Sequence, residues 1–216
     1  MRKMNNDISG WKKKGIKKDR MNFNNHPNYE PRRRLFKAIF IDGSFLFHCM
    51  VGISVRINYR KLIQLFLNTG DFLIYANYYT ALPNEYDMEE KHRNFIKILK
   101  KDVKVRVRSV PLLKAYDAPT SSNGGSQDDT QQHHVRYSKG EDILLASEMV
   151  RDAALGRFDC CVLLSGDADF CPVVSMVQDL GKPVIVAAFH GSLSHQLEMD
   201  ASEVIYLDEH LDKIKL

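Results

Sequence analysis

The stretch that decides the fold is FDCCVLLSGDADFCPVV, Phe158 to Val174. Cys160 to Leu164 form an unbroken apolar run, the composition of a strand buried on both faces, as in a parallel sheet. Ser165 and Gly166 end the run, and two carboxylates follow, Asp167 and Asp169. The next residues read as a helix, with Pro172 early, where its missing N–H does little harm. Charge beside a buried strand is costly, so these acids call for a partner or a purpose.

The same alternation extends in both directions. KAIFI, ending at Ile41, is a second buried strand, followed by Asp42, Gly43 and a short helical segment. NYRKLIQLFLNTG has helical spacing at Leu62, Leu65 and Phe66, with Gly70 as its expected stop. DFLIYANYYTAL reads as a strand, and DMEEKHRNFIKILKKD as an amphipathic helix with acids early and lysines late. VKVRVRSV alternates apolar and basic residues, which suits a strand near a sheet edge. Further on come a helix in KGEDILLASEMVRDAALG, a buried strand in KPVIVAAF, a short helix in GSLSHQLEMDAS, a strand in EVIYLD and a closing helix in EHLDKIKL. Strands alternating with helices predict an α/β fold, a three-layer α/β/α sandwich with a mainly parallel central sheet.

Composition divides the chain. Residues 1–34 hold eleven Lys or Arg against three Asp or Glu, and the remainder is mildly acidic. The expectation is a basic, flexible arm over 1–34 that orders on a polyanion, and one domain over 35–216. A polar loop is expected at about 115–137, where the His133–His134 pair reads as solvated. The four cysteines have neither zinc nor disulfide-framework spacing, so reduced thiols and a cytoplasmic location are expected. No apolar run suits a membrane span, and the basic N-terminus lacks the apolar stretch of a secretory leader. There is no GxxxxGK[ST] phosphate loop, and Ser44 stands where an aspartyl-phosphatase would need a second Asp.

In open α/β sheets the functional crevice lies outside the carboxyl ends of the strands. Asp42 and Asp167 both end strands, and Asp142 lies in the first turn of a helix. Converging carboxylates repel, and a hard divalent cation such as Mg²⁺ relieves that repulsion. Each acid also has a structural use: Asp167 as a helix N-cap, and Asp169, Glu141 and Asp142 as ordinary first-turn acids. Glu148 is six residues beyond Asp142, about 120° away around an ideal helix, and could equally pair with Arg151.

FIDGSFLFH, the KGEDILLASEM helix and LLSGDADFCPVV together resemble the NYN domain family, a PIN-like group of nucleases that includes the LabA-type proteins. The resemblance spans roughly residues 36–210. It implies a PIN-like sandwich, an acidic cluster binding Mg²⁺ or Mn²⁺, and cleavage of RNA. By position it assigns catalytic acids to Asp42, Asp142, Asp167, Asp169 and Glu148, the first four as metal ligands. Ser44 is expected to contact a carboxylate or phosphate. Lys139 and the arm residues Arg32, Arg33 and Arg34 are the expected substrate contacts. Arg106 and Arg108 could extend that surface, and Tyr78, Tyr79 and Tyr137 could stack on bases. Phe45 stands where the family usually has Asn. The expected function is metal-dependent hydrolysis of single-stranded or structured RNA. A weakly catalytic RNA-binding regulator of the same fold and a small phosphate-ester hydrolase are the competing readings, and a homo-oligomer is compatible with all three.

Overall fold

In the computed structural model, the apolar runs form one sheet and the periodic segments cover both its faces. The structure describes residues 34–83, 88–101, 105–116, 135–138 and 140–216. Arg32, Arg33, Lys139 and the His133–His134 pair lie outside the described residues.

Strand β1 (Phe36–Asp42) leads into helices α1 (Gly43–Gly52) and α2 (Tyr59–Leu65), then β2 (Phe72–Leu82), α3 (Glu90–Lys101) and β3 (Arg106–Pro111). Two short strands follow, β4 (Leu113–Tyr116) and β5 (Val135–Ser138). After them come α4 (Glu141–Ala154), β6 (Cys160–Leu164), α5 (Cys171–Asp179), β7 (Val184–Ala188), α6 (His195–Asp200), β8 (Glu203–Tyr206) and α7 (Leu211–Ile214).

The main sheet has the order β3-β2-β1-β6-β7-β8, and every neighbouring pair is parallel. Alternating side chains of each strand enter separate cores. Ile39 and Ile41 join Leu46, Leu62 and Leu99 on one face, whereas Ala38 and Phe40 join Leu145, Met149 and Val174 on the other. This explains the unbroken apolar runs: both faces are covered. The same alternation sends Cys160 and Cys161 to opposite cores, and all four cysteines are free thiols.

From β1 the chain winds outward to β2 and β3; from β6 it winds the other way to β7 and β8. The order therefore reverses between β1 and β6. In doubly wound sheets the binding crevice opens at that switch point, beyond the carboxyl ends of the strands.

Three expectations change in detail. Gly70 does not stop α2, whose C-cap is Phe66; it supplies a left-handed residue, φ 95°, in the turn entering β2. The ends of the expected polar loop are paired, β4 with β5, as an antiparallel ribbon. Four-residue strands are too short for alternation to reveal them, and their pairing is non-local. The closing helix is only one 3₁₀ turn, Leu207–His210, followed by the four-residue α7. Strand β3 is at a sheet edge, as its alternation suggested. No helix among the described residues is long and apolar enough to cross a membrane.

Candidate active site

Asp42 is both the last residue of β1 and the N-cap of α1. Its Oδ1 accepts the Phe45 N–H at 2.9 Å, and its Oδ2 accepts the Ser165 hydroxyl at 3.0 Å. The residue is buried. Burial pushes its carboxyl above the ordinary range; the two hydrogen bonds pull it down, and the negative charges of Glu141 and Asp167 push it up again.

Asp167 follows the neighbouring strand β6 and is exposed. It caps the 3₁₀ turn Ala168–Phe170, its Oδ1 accepting the Asp169 N–H at 2.9 Å. Its own N–H donates to Ser165 Oγ at 3.3 Å. Ser165 thus ties the carboxyl ends of β1 and β6 together, with one hydroxyl serving both aspartates. Capping and site-forming, which the sequence presents as alternatives for Asp167, coincide on one side chain.

Asp142, in the first turn of α4, joins Asp42 and Asp167 in lining a cleft of about 490 Å³ at the switch point. Ser44, Phe45 and His48 of α1 form the facing wall. Two glycines allow the elements to close this tightly. A Cβ on Gly43 would lie 2.5 Å from the Tyr79 carbonyl oxygen, and one on Gly166 would run into the Ser192 carbonyl oxygen.

Glu141 is the residue that the sequence leaves looking ordinary. It is 1% exposed, its Oε1 accepts the Ser44 hydroxyl at 3.0 Å, and its Oε2 has no hydrogen-bond partner among the described residues. Glu141 is close enough to Asp42 for its charge to be felt there. The one available signal was the doubled acid in KGED. Ser165 was missed as well, because a serine after a strand carries no distinguishing signal.

Two expected acids are elsewhere. Asp169 is exposed, does not line the cleft, and contributes its backbone N–H. Glu148 is buried against β2 and β3: Oε2 accepts from the Tyr79 hydroxyl at 2.8 Å and Arg108 Nε at 3.0 Å, and Oε1 from Arg108 Nη2. The 120° rotation along α4 places Asp142 and Glu148 on different surfaces. Arg108 is therefore occupied by an ion pair, and Arg106 lies over the Tyr75 ring, 5.1 Å from its centroid. Tyr78 and Tyr79 are core residues, so neither can stack on a base. Arg34 precedes β1 and packs beside Gly70, placing it at the amino edge of the sheet, opposite the cleft.

A doubly wound parallel sheet with acids at its switch point defines a PIN-like α/β/α protein. Residues 37–208 match the model of the NYN domain, and the chain belongs to the NYN domain family, a family of PIN-like nucleases. Among solved structures, the chain is similar to a protein of unknown function from Vibrio parahaemolyticus RIMD 2210633. The TM-score is 0.64 at 21% identity, over 87% of this chain and 99% of that one, a likeness of fold. No curated protein matches the chain.

The family implies a divalent cation. Among the described residues, no group of three or more His, Cys, Asp or Glu side chains is gathered tightly enough to hold a metal ion. Mg²⁺ does not require such a cage, since one or two carboxylates, waters and substrate phosphates commonly hold it. The acids offer hard oxygen donors, which suit Mg²⁺ or Mn²⁺. The unpartnered Glu141 Oε2 behind Asp42 is a buried acceptor that a nearby positive charge would relieve.

Proposed function

We propose that this protein hydrolyses RNA phosphodiester bonds in the Asp42–Asp142–Asp167 cleft, with Mg²⁺ or Mn²⁺ as cofactor. The observation that carries this reading is the meeting of three acids from β1, α4 and the β6–α5 turn in one cleft at the switch point. Family membership supports nuclease chemistry, and the basic residues of the 1–34 segment suit a polyanionic substrate.

One or two of Asp42, Asp142 and Asp167, completed by waters and substrate phosphate, would hold the cation. When bound, the cation supplies Lewis-acid polarisation of the phosphoryl oxygens and a nucleophile at neutral pH. The chain's own groups orient the acids. The Phe45 N–H and Ser165 hydroxyl hold both oxygens of Asp42, and the Asp169 N–H holds Asp167. Asp169 is thus a positioning residue, whereas Glu148 supports the fold through Arg108 and Tyr79. Ser44, fixed by Glu141, presents its hydroxyl at the cleft wall, within the surface a phosphate would meet.

The test is cleavage of an end-labelled mixed-sequence RNA, with and without Mn²⁺ or Mg²⁺, by the native chain and by Asp167→Asn. Metal-dependent cleavage by the native chain, lost in the variant, is the expected result. RNA retention on a filter without cleavage by either protein would instead support a binding protein of the same fold. That second reading draws on Phe45, whose ring lines the cleft wall and approaches Gly166.

A further inference from the structure

A second and larger concavity, about 1180 Å³, lies between α3 and the ends of β2 and β3. Arg93, Lys97, Lys100 and Lys101 line it from α3. Their spacings of four, seven and eight residues from Arg93 place them on one face of the helix, in a stripe about 12 Å long. No acidic residue lines this groove among the described residues. Lys97, Lys100 and Lys101 are exposed and make no ion pair with any described residue. Arg93 also donates to the Met88 carbonyl.

The opposite wall is Leu82 and Pro83 at the end of β2, with Val110 and Pro111 at the end of β3. Both strands run parallel to β1, so these ends lie on the same rim of the sheet as Asp42. Strand β2 is hydrogen-bonded to β1 and β3 to β2, which sets the strand-end wall one to two strand spacings from Asp42, about 5–10 Å laterally; α3 runs back from this rim, with Arg93 nearest it and Lys101 farthest.

We infer that this groove binds the phosphate backbone of a single nucleic-acid strand and leads it to the acidic cleft. The inference rests on the proposed phosphodiester hydrolysis for the identity of the strand. A concave track of cations, one helical turn apart and without acids among its described lining residues, matches a linear polyanion. Its apolar wall leaves room for bases without reading them, so the contact is independent of sequence. A flat anionic membrane would fit a convex basic face better than a groove walled on two sides.

The experiment compares the full chain with the double variant Lys97→Gln/Lys100→Gln and with the control Lys182→Gln/Lys213→Gln. Binding of a fluorescein-labelled oligouridylate is followed by anisotropy across a salt series without divalent metal. Hydrolysis of bis(p-nitrophenyl) phosphate with Mn²⁺ is measured in parallel. The groove variant is expected to lose roughly tenfold or more in affinity, with a log–log salt slope shallower by about 1.4 for two lost phosphate contacts. The control is expected to match the native chain in both measures. The small diester is expected to be turned over equally by all three proteins, because it does not need the groove.

Unchanged oligouridylate affinity and salt slope in the groove variant would overturn the inference while leaving the acidic cleft intact. So would binding of phosphatidylserine vesicles, but not oligouridylate, through these lysines. Failure of all three proteins to hydrolyse the small diester would count against the proposed hydrolysis; the salt slope would still decide the groove.

Discussion

The Ser165 hydroxyl donates to Asp42 Oδ2 at 3.0 Å and joins the carboxyl ends of β1 and β6. The chain order of the sheet reverses between these two strands. The bond therefore lies where the fold opens its crevice, and it holds a buried carboxylate that its acidic neighbours oppose.

That opposition predicts a stability gain from a site-destroying change. Asp42 has a folded-state pKa raised by burial, then by Glu141 and Asp167, against the two hydrogen bonds. Its contribution to stability is complete below its unfolded pKa, near 4, and is lost as pH rises through the folded value. Ionised Asp42 is thus a cost at pH 7. Asp42→Asn keeps the shape and is expected to raise Tm at pH 7, by about 2–4 °C per 1 kcal/mol relieved, with the gain shrinking toward pH 4. RNA cleavage should fall on the order of 100-fold or more, as several kcal/mol of cation stabilisation are lost. Thermal melts at pH 4 and 7 check the first claim; an unchanged or lower Tm at pH 7 would count against it.

Lys37 and Asp71 show the opposite sign. Lys37 is buried, and its Nζ meets Asp71 Oδ2 and the Phe66 carbonyl, each at 2.9 Å. Burial alone would raise the Asp71 pKa, but the Lys37 hydrogen bond and the backbone N–H groups of Asn68 and Leu35 outweigh it and bring it below the ordinary value. Its stabilisation is present above the unfolded pKa and lost as pH falls through the lower folded value. Asp71→Asn leaves the Lys37 charge buried without its counter-ion and is expected to cost about 3–5 kcal/mol at pH 7. Urea titrations at pH 7 and pH 3 should show this deficit narrowing in acid.

Glu148 separates fold from chemistry. Because it accepts hydrogen bonds from Arg108 and Tyr79 outside the cleft, Glu148→Gln is expected to lower stability by about 1–3 kcal/mol. At a temperature where the variant is fully folded, its Mn²⁺ affinity should match that of the native chain. Calorimetric titration with Mn²⁺ and a urea melt test the two halves. A tenfold loss of metal affinity in folded protein would return Glu148 to the site.

Glu141 should behave in the reverse manner. Glu141→Gln removes a buried charge beside Asp42 while preserving an acceptor for Ser44. Mn²⁺ affinity is expected to fall by about 10–100-fold, the range for groups that support metal ligands. The same calorimetric titration measures this, and unchanged affinity in a folded variant would assign Glu141 to helix packing alone.

Much of the frame was legible because it is written locally. The runs at KAIFI and CCVLL announce strands covered on both faces, and the acids after them sit where a strand must end. The helical angle between Asp142 and Glu148 already argued that the two diverge. The signal ran out where partners are distant in sequence. Ser44 meets Glu141 across 97 residues, and Arg108 meets Glu148 across 40. Tyr78 and Tyr79 look like stacking platforms until the strand's covered faces are known.

The alternation of strands and helices, the strand-end position of Asp42 and Asp167, and the family motif can be read along the chain, because periodicity and termination are short-range properties. Which acids meet depends on the folded arrangement. The β1–β6 pairing brings Asp42 to Ser165, and the rotation of α4 turns Asp142 to the cleft, buries Glu141 beside Asp42 and sends Glu148 to Arg108. Strand order and helix rotation are set by packing between segments far apart in the chain, and no local spacing encodes them.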